Sequence, residues 1–524
     1  MNKNIINFLA CIALISVVEA KAQEEHIEEI VVVAQQVQTT DVNPENTSRL
    51  ISAVIPEFTY NPGGYGGFIG FNQTGAQAVH TSVFVNDVPA NEPGSGLYDF
   101  GHDIATGQTV KVITGPNGVL YGSGSIAGTV LIQDTIQSGL IFRHGSNHSH
   151  LSIAPTDNFQ LTKFESHHPS VRNDNFEKDK YSNVTGKFNV DLELFSISGK
   201  YIDYDYDYDN CFDSSFNMSN DCRQVGDRYV FTVQNDNFIV GRSENNATYF
   251  TAYDETFTNS SSRDYFRLTD SLKLSSLSSI EYGVDYSMED YNQHSQENFA
   301  GFVSANLSVV GNDYNIGIRR GNSNQNSYRV GIERGLFYAS VGTSFRRPNL
   351  YELHGDNFVN ANPDLQSEKG KGFEAGFGTF GIFKYLFDET IDYNYVDNVY
   401  YNAGKYTSQG AKYNQIFGPV SVMIRYTDTD QPRVPKYMGM LSVNKDVYDT
   451  LVSLKYTFNL DRQPGLYDGS KLEDLHKVNF YITKKIDDLT LNFKIENLLD
   501  EKIEVVPFYS NIGRQFYLTL SYDW

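Results

Sequence analysis

The last nine residues of the chain alternate between apolar and polar positions. One set is apolar or aromatic throughout: Phe516, Leu518, Leu520, Tyr522 and Trp524. The other set is largely polar: Tyr517, Thr519, Ser521 and Asp523. Successive side chains of a strand point to opposite faces, so the pattern predicts a strand with one apolar face and nothing after it to cover that face. A bilayer would cover it, provided that the backbone is paired on both sides, which indicates the closing strand of a barrel in lipid.

The same alternation recurs from about residue 137 to the end of the chain. It is clear over 420–426, 452–458 and 491–495, where apolar residues occupy every second position. About 22 strands of ~10 residues would use roughly 220 of the residues 137–524 and would leave about eight per connection. The pattern therefore predicts an all-β transmembrane barrel of about 22 antiparallel strands over 137–524.

Residues 44–136 have a different, glycine-rich texture. Short strands are predicted at Thr81–Val85 and Val110–Ile113, and glycines crowd the segment 115–125. That segment has no Lys followed by Ser or Thr at the spacing of a phosphate-binding loop, so nucleotide binding is not predicted. A barrel of 22 strands has a lumen wide enough to need a plug. We expect 44–136 to form an α+β plug domain inside it.

The first 43 residues divide into two parts. Residues 1–22 have a positive end, an apolar core shorter than a spanning helix and a small-x-small site before Gln23, which predicts a secretory signal. Residues 23–43 carry the β-branched run Ile30–Ala34 between polar flanks. From the residues alone, this run is either an exposed segment that pairs with the edge of another sheet or the first strand of the next domain.

Composition adds limits to this picture. The chain has 36 Tyr, 35 Phe and 42 Gly, which suits many strands with aromatic girdles. Its net charge of −23 disfavours nucleic acid as a partner, because phosphate binding needs clustered Lys and Arg. Cys11 lies in the predicted signal, which leaves Cys211 and Cys222 as a disulfide pair in an oxidising compartment.

Four segments, in this order, resemble those of the TonB-dependent outer-membrane receptors. Glu29, Ile30, Val31, Val32, Val33 and Ala34 resemble the TonB box. The segments 110–122 and 126–130 are similar to the end of the plug, with the motif residues Gly115, Pro116, Tyr121, Gly122 and Gly128. The segments 344–353, 362–368 and 374–376 resemble the mid-barrel pattern, and 496–500 with 513–516 resemble the C-terminal one.

The resemblance implies a monomeric receptor in the outer membrane of a Gram-negative bacterium, surrounded by lipid and energised through the periplasmic protein TonB. Its substrate would be a scarce nutrient such as a ferric siderophore, cobalamin or another metal complex, bound between plug apices and outer loops. The compact barrel favours the cobalamin-type end of this range, and the acidic balance disfavours strongly anionic siderophores. No cofactor is required. The alternatives are a passive channel, an adhesin barrel, or an enzyme, for which no nucleophile elbow or metalloprotease motif is present.

The seam between plug and barrel departs from the family pattern. The family usually has two plug arginines, whereas residues 50–134 contain one basic residue, Lys111. The barrel nevertheless carries Glu352 and Glu374. Because unpaired buried carboxylates are costly, we expect Arg346, Arg347 or Lys111 to pair with them, or the seam to be wet.

Two clusters of possible metal ligands fall on predicted outer loops. Five histidines are placed on the first and third connections: His144, His148, His150, His167 and His168. They are either ligands for Zn, Cu or Ni, or ordinary polar loop residues. Four alternating aspartates are placed at the fifth connection, before the Cys211–Cys222 loop: Asp203, Asp205, Asp207 and Asp209. They are either a structural Ca²⁺ site or the solvated end of an acidic strand, and the spacing is not that of an EF-hand.

Overall fold

A computed structural model of the chain describes residues 37–40, 45–46, 58–60, 65–105, 107–170, 177–209, 211–212, 218–251, 255–322, 325–356, 358–465, 471–502, 504–506, 509–510 and 512–524. The predicted signal (1–22) and TonB box (29–34) lie outside these residues. No helix in the described part of the chain combines the length and apolar character that a transmembrane helix requires.

The C-terminal three-quarters of the chain forms a closed antiparallel barrel of 22 strands, as the alternation predicts. The barrel strands of the first half are β10 (Gly139–Gly145), β11 (His148–Thr156), β12 (Phe159–Pro169), β13 (Lys178–Asp191), β14 (Ser196–Tyr208), β17 (Cys222–Gln234), β18 (Phe238–Thr251), β19 (Glu255–Ser275), β20 (Ser278–Tyr291), β21 (His294–Val309) and β22 (Asn312–Gly321). Those of the second half are β23 (Asn326–Arg334), β24 (Phe337–Arg346), β25 (Glu368–Phe377), β26 (Phe380–Asn394), β27 (Val399–Phe417), β28 (Val420–Thr429), β29 (Pro435–Val447), β30 (Thr450–Arg462), β31 (Leu475–Ile486), β32 (Leu489–Glu496) and β35 (Gln515–Asp523).

The last strand closes the barrel in the way the sequence predicts. It pairs with β10 on one side, Leu520 opposite Phe142, and with β32 on the other, Leu520 opposite Leu491. Its apolar positions are exposed on the outside of the barrel, whereas Tyr517, Thr519 and Ser521 are buried on the inside. The outward apolar set is the surface that lipid covers in an outer-membrane barrel.

The plug is built on a five-stranded sheet whose strands lie in the order Val37–Thr40 (β1), Gln108–Thr114 (β8), Gly128–Asp134 (β9), Thr81–Val85 (β5) and Val88–Pro89 (β6), with β5 and β9 parallel. The strands before the barrel are β1 (Val37–Thr40), β2 (Glu45–Asn46), β3 (Phe58–Tyr60), β4 (Gly70–Asn72), β5 (Thr81–Val85), β6 (Val88–Pro89), β7 (Ile104–Ala105), β8 (Gln108–Thr114) and β9 (Gly128–Asp134). Three 3₁₀ helices (Gln73–Gly75, Ala78–His80, Phe100–His102) and helix α1 (Gly118–Tyr121) connect them. Val37–Thr40 belongs to the sheet, so the segment predicted as a tether over 23–43 reaches the plug before residue 44.

The apolar core of the plug is continuous with the barrel wall. Val83, Val85, Val110, Val130 and Ile132 of the sheet are buried in one cluster. That cluster extends to Val230 and Tyr265 on the inner face of the barrel. Burial of a Val or Ile side chain stabilises by about 1.5–3 kcal/mol, so this contact fixes the plug within the lumen.

The two ends of the barrel differ in their connections. At the end that holds Gly139 and the C-terminus, every connection is two to four residues long, as at 157–158 and 276–277. The opposite end carries the long connections, among them 347–367, 463–474 and 497–514. Outer-membrane barrels have short periplasmic turns and long outer loops, so the long connections mark the extracellular end.

The connections at that extracellular end contain smaller elements. Helix α2 (Leu350–His354) lies in the connection 347–367, and two short hairpins are formed by β15 (Cys211–Phe212) with β16 (Met218–Ser219) and by β33 (Glu504–Val506) with β34 (Tyr509–Ser510). Helix α2 begins with a capping box between Asn349 and Glu352.

Candidate functional site

The plug has many more acidic than basic residues. Residues 65–134 contain one lysine, Lys111, and the five carboxylates Asp87, Glu92, Asp99, Asp103 and Asp134. Buried carboxylates need cationic or hydrogen-bonding partners. The inner wall of the barrel provides the cations, whereas the family pattern has arginines in the plug.

Two barrel lysines hold two of the plug carboxylates in a buried cluster. Lys187 Nζ lies 2.8 Å from Asp134 Oδ1, and Lys200 Nζ pairs with Asp103 Oδ1 and lies 3.6 Å from Asp134 Oδ1. Each of the four side chains is at most 6 % exposed. Burial alone would raise the pKa of Asp103, but the charges of Lys200 and Lys187 and the hydrogen bonds from Lys200 and Tyr98 together outweigh it and lower that pKa from 3.8 to about 2. We call these four residues the lysine latch.

Barrel arginines bind the plug through its backbone carbonyl oxygens. Arg228 donates to Asp99 O at 2.9 Å, and Arg267 donates to Leu120 O at 2.9 Å. The same type of bond joins Arg263 to Pro89 O and Asn91 O at 3.1 and 2.7 Å, and Arg329 to Pro116 O at 3.4 Å. Hydrogen bonds from charged donors are roughly twice as strong as neutral ones. The plug loops are therefore fixed to the wall even where they carry no charge.

A second buried network runs from the plug to the outer helix α2. His80 of the plug is fully buried, with Nε2 2.7 Å from Glu368 Oε2 and Nδ1 2.8 Å from the Tyr406 hydroxyl. An Nε2–H tautomer satisfies both contacts, because it donates to the carboxylate and accepts from the hydroxyl. Arg346 Nε lies 2.5 Å from the same Glu368 oxygen, and its two terminal nitrogens each lie 3.0 Å from Glu352 on α2. A continuous chain of polar contacts thus links an extracellular connection to the plug.

A cavity lies at the extracellular end, between the plug loops 89–96 and 120–124 and the barrel wall. Arg263 and Arg347 line it and share one carboxylate, that of Glu289, at 2.9 and 3.0 Å. Arg319 and Asp285 line it as a separate ion pair, with Nη1 donating to Oδ2 at 2.7 Å. Arg347 Nη1 is buried without a hydrogen-bond partner among the described residues. Glu92 and Arg346 also line the cavity, so four guanidinium groups and three carboxylates surround it, and Arg347 keeps an N–H group left to donate. We call it the arginine cavity.

The barrel and the plug each match a family model. Residues 133–498 match the model described as TonB dependent receptor-like, beta-barrel, and residues 23–129 match the TonB-dependent Receptor Plug Domain. The chain is a TonB-dependent receptor. This family and fold are those of transport receptors that act with TonB on small-molecule ligands, and they indicate the outer membrane of a Gram-negative bacterium.

Several solved structures share the fold of the receptor. A point mutant of the ferric enterobactin receptor PfeA from Pseudomonas aeruginosa, in complex with enterobactin, is 13 % identical over 94 % of this chain and 100 % of its own, with a TM-score of 0.72. The siderophore receptor PirA from Acinetobacter baumannii is 13 % identical over 90 % and 94 %, with a TM-score of 0.69. The copper transporter OprC is 13 % identical over 93 % and 99 %, with a TM-score of 0.68. At this identity the likeness concerns the fold.

The plug motif of the receptor forms the turns that face the barrel. Gly115 and Gly122 have positive φ angles, +83° and +70°, which favour glycine. A Cβ at Gly115 would lie 3.2 Å from Glu374 Oε1, and one at Gly122 would lie 3.2 Å from Arg319. Pro116 lies against Gly372 of the barrel. Tyr121 ends helix α1 and Gly128 begins β9.

The predicted seam residues of the receptor pair only in part as expected. Arg346 binds Glu352, as the prediction proposed. Glu374 is bound instead by Lys412 at 3.4 Å and by the Tyr385 hydroxyl, both from the barrel. Lys111 lies within β8 and makes no ion pair with either glutamate in the described residues, and Arg347 binds Glu289.

The five predicted metal-binding histidines lie in strands rather than in loops. His144 ends β10, His148 and His150 begin β11, and His167 and His168 end β12, because the first connection is only Ser146–Asn147. His148, His150 and His168 are buried inside the barrel, whereas His144 and His167 are exposed. Tyr65 packs against His148 and His168, with ring centroids 5.2 and 5.7 Å apart. None of the five belongs to a group of three or more close metal-ligating side chains among the described residues.

The predicted disulfide is present, and the predicted aspartate cluster is not. Cys211 and Cys222 are bonded. The aspartates alternate with the buried Tyr204 and Tyr206 as predicted, but each has its own surroundings. Asp205 binds Arg223 at 2.6 Å, and Asp207 accepts a hydrogen bond from Lys180 N at 3.3 Å. Asp209 lies 2.5 Å from Ser170 Oγ, and Asp203 is half-buried. Only Asp209 lies in a group of carboxylates, with Glu177 and Asp179.

The sequence reasoning missed the residues that hold the plug. The missed residues include His80, Asp103, Asp134, Lys187, Lys200, Glu368 and Tyr406, and the wall arginines Arg228, Arg263, Arg267 and Arg329. One signal was available: five acidic residues against one lysine in the plug require cations on the wall. The identity of those cations was not available, because partners such as His80 and Glu368 are 288 positions apart.

Proposed function

We propose that the receptor imports a small anionic metal chelate, which binds in the arginine cavity and is released inward when TonB pulls on the segment Glu29–Ala34. The observation that carries the proposal is the arginine cavity itself. It opens among the long connections, and two guanidinium groups there share one carboxylate. Guanidinium groups bind carboxylates and other anionic oxygens through paired N–H donors.

The local charge of the cavity outweighs the acidic balance of the whole chain. Surface charges more than about 10 Å away are largely screened at physiological salt, whereas charges inside a low-dielectric cleft are screened much less. The net charge of −23 thus has less influence on a ligand in the cavity than Arg263 and Arg347 have. Two of the fold relatives are a ferric enterobactin receptor and a copper transporter, which is compatible with a metal chelate as the ligand.

The position of the cavity couples ligand binding to the plug. Asn349, at the start of α2, donates to Ser95 O of the plug at 3.0 Å, and Leu350 N donates to Pro93 O at 3.0 Å. Arg346, in the same wall, belongs to the network that ends at His80. A ligand that contacts these groups would bias the contacts between wall and plug. A plug held at so many points also disfavours the passive channel, which needs an open lumen.

The proposal is tested by binding and uptake of a ligand panel. The panel contains a ferric tricarboxylate, a ferric catecholate and cobalamin, presented to cells that express the receptor in a strain lacking its own receptors. We expect saturable binding of an anionic ferric chelate, and uptake that stops when a protonophore collapses the proton gradient. Uptake that continues without the gradient would contradict energised transport, and binding of cobalamin alone would contradict the anionic ligand.

Arg347→Met should weaken binding of the anionic chelate by about 10- to 100-fold, because one charge-assisted hydrogen bond contributes roughly 1.5–3 kcal/mol. Glu289 remains paired with Arg263, so the substitution leaves no buried carboxylate without a cation. Arg347→Lys keeps the charge and should lose less. Arg320→Met removes an exposed arginine from strand β22 and should bind as the wild type does. Equal affinities of Arg347→Met and the wild type, measured by equilibrium binding to the purified receptor, would place the ligand elsewhere.

A further inference from the structure

Three carboxylates converge at the extracellular end of the barrel, outside the arginine cavity. Glu177 directly precedes β13, Asp179 is the second residue of β13, and Asp209 directly follows β14. One oxygen atom of each lies within 4.8 Å of the others. The group therefore joins the third connection of the barrel to the fifth.

Asp179 is the member of this group that lacks compensation. Its side chain points inward with the buried face of β13, and the residue is 4 % exposed. No hydrogen bond or ion pair from the described residues reaches its carboxylate. The charged groups that act on it are the carboxylates of Asp209, Glu177 and Asp207. A buried carboxylate among like charges is strongly destabilising unless a cation or a proton neutralises it.

The donor set identifies the class of cation. All three ligands are carboxylates, and the Ser170 hydroxyl lies 2.5 Å from Asp209 Oδ2, so these four described residues offer oxygen donors. Hard oxygen donors suit Ca²⁺ or Mg²⁺, whereas Zn²⁺ and Cu²⁺ select nitrogen and sulfur. Ca²⁺ accepts six to eight oxygens in irregular geometry, which three carboxylates and water can supply. Mg²⁺ demands near-ideal octahedral geometry and retains its own water.

We propose that Glu177, Asp179 and Asp209 bind one Ca²⁺ ion on the extracellular side of the receptor. The site differs from the one that the sequence pattern suggested, since Asp209 is the one member of the predicted aspartate set that belongs to this group among the described residues. It would neutralise Asp179 and tie the start of β13 to the end of β14. Asp209 is two residues before Cys211, so the ion would also fix the base of the Cys211–Cys222 loop.

Equilibrium dialysis of the purified, EDTA-treated receptor against ⁴⁵Ca²⁺ tests the site. We expect one saturable site with a dissociation constant of roughly 10⁻⁴–10⁻³ M, the range of extracellular calcium modules. Mg²⁺ at the same concentration should displace less than half of the bound Ca²⁺. Absence of saturable binding up to about 10 mM Ca²⁺, ten times that range, would overturn the proposal.

Asp179→Asn keeps the shape of the side chain and removes its charge. It should weaken Ca²⁺ binding at least tenfold. Because an ion that binds the folded state stabilises it, Ca²⁺ should raise the unfolding temperature of the wild type but not that of Asp179→Asn. Asp205→Asn is the matched control, because Asp205 lies on β14 but is paired with Arg223, and it should bind Ca²⁺ as the wild type does. If Asp179→Asn does not fold, Glu177→Gln carries the same expectation. Wild-type affinity in a folded Asp179→Asn or Glu177→Gln receptor would overturn the proposal.

Discussion

Lys200→Met should speed hydrogen exchange of the plug amides in β8 and β9 by roughly a hundred- to several thousandfold. The substitution leaves Asp103 buried and without its cation, and removal of one partner of a buried ion pair costs about 3–5 kcal/mol. Lys187 is already bound to Asp134 at 2.8 Å and cannot fully replace the lost charge. The measurement is hydrogen–deuterium exchange of the purified receptor followed by mass spectrometry, which reports local opening free energies directly.

Two controls separate the latch from a general loss of charge. Lys405→Met breaks an exposed pair with Asp388 and should leave plug exchange unchanged. Asp103→Asn, added to Lys200→Met, removes the unpaired buried charge and should restore much of the protection from exchange.

The lysine latch also predicts that plug exchange depends on pH. The pKa of Asp103 is lowered to about 2 from 3.8, so the latch contributes fully above about pH 4 and is lost as the pH falls towards 2. Plug exchange in Lys200→Met equal to that of the wild type would show that the latch does not hold the plug.

Val32→Pro should reduce uptake to the level of a strain without the receptor while ligand binding stays at the wild-type value. Val32 lies in the middle of the predicted TonB box, where TonB is expected to add a strand through backbone hydrogen bonds. Proline has no N–H group and disrupts such a ladder. The measurement pairs uptake of the labelled chelate by whole cells with its binding to the same cells at low temperature.

Val32→Ile is the matched control, because it keeps a β-branched side chain and the N–H group, and it should transport at the wild-type rate. A second substitution in the polar flank, Gln36→Ala, should also leave uptake intact. If Val32→Pro transports normally, the energised segment lies elsewhere in the chain. If it loses binding as well, the substitution has damaged the receptor rather than its coupling.

Most of the correct predictions from the sequence rest on the alternation of side chains along each strand. At β35, Leu518 and Leu520 are exposed and Thr519 is buried, as the alternation requires. A residue's face on a strand depends only on its position modulo two, which is a local property. The strand number also follows, because chain length, strand length and closure constrain one another. The disulfide between Cys211 and Cys222 follows from an even cysteine count after the signal.

Strand length is where local reasoning failed. About ten residues suffice to cross a bilayer, but β19 has 21 residues and β27 has 19. The strands continue beyond the membrane at the outer end, and the connections shorten accordingly. His148, His150 and His168 lie in strands of ordinary length, because the first connection has only two residues and β12 continues to Pro169. They are therefore buried on the barrel wall, where a loop had been expected. Sequence alone does not mark the depth at which lipid ends and water begins.

The sequence does not predict which wall residue pairs with which plug residue, for a different reason. Which wall residue meets His80 or Asp103 depends on the barrel radius, on strand tilt and on the rotation of the plug. Glu368 and Lys200 are two of several charged residues on inward positions, and no local pattern distinguishes them. The excess of acidic residues in the plug predicts a cationic wall, while the identity of each pair requires the three-dimensional fold.

The order of the first plug strands has a mechanical consequence. A pull on the box is transmitted first to β1, the edge strand, whose four residues pair with β8. Next along the chain come β2, with two residues paired to β7, and β3, with three paired to β4. Each ladder is short, so an applied force meets a series of small barriers rather than one large one. The plug should then unravel stepwise from its N-terminus, while β5, β8 and β9 stay folded against the wall until the lysine latch gives way.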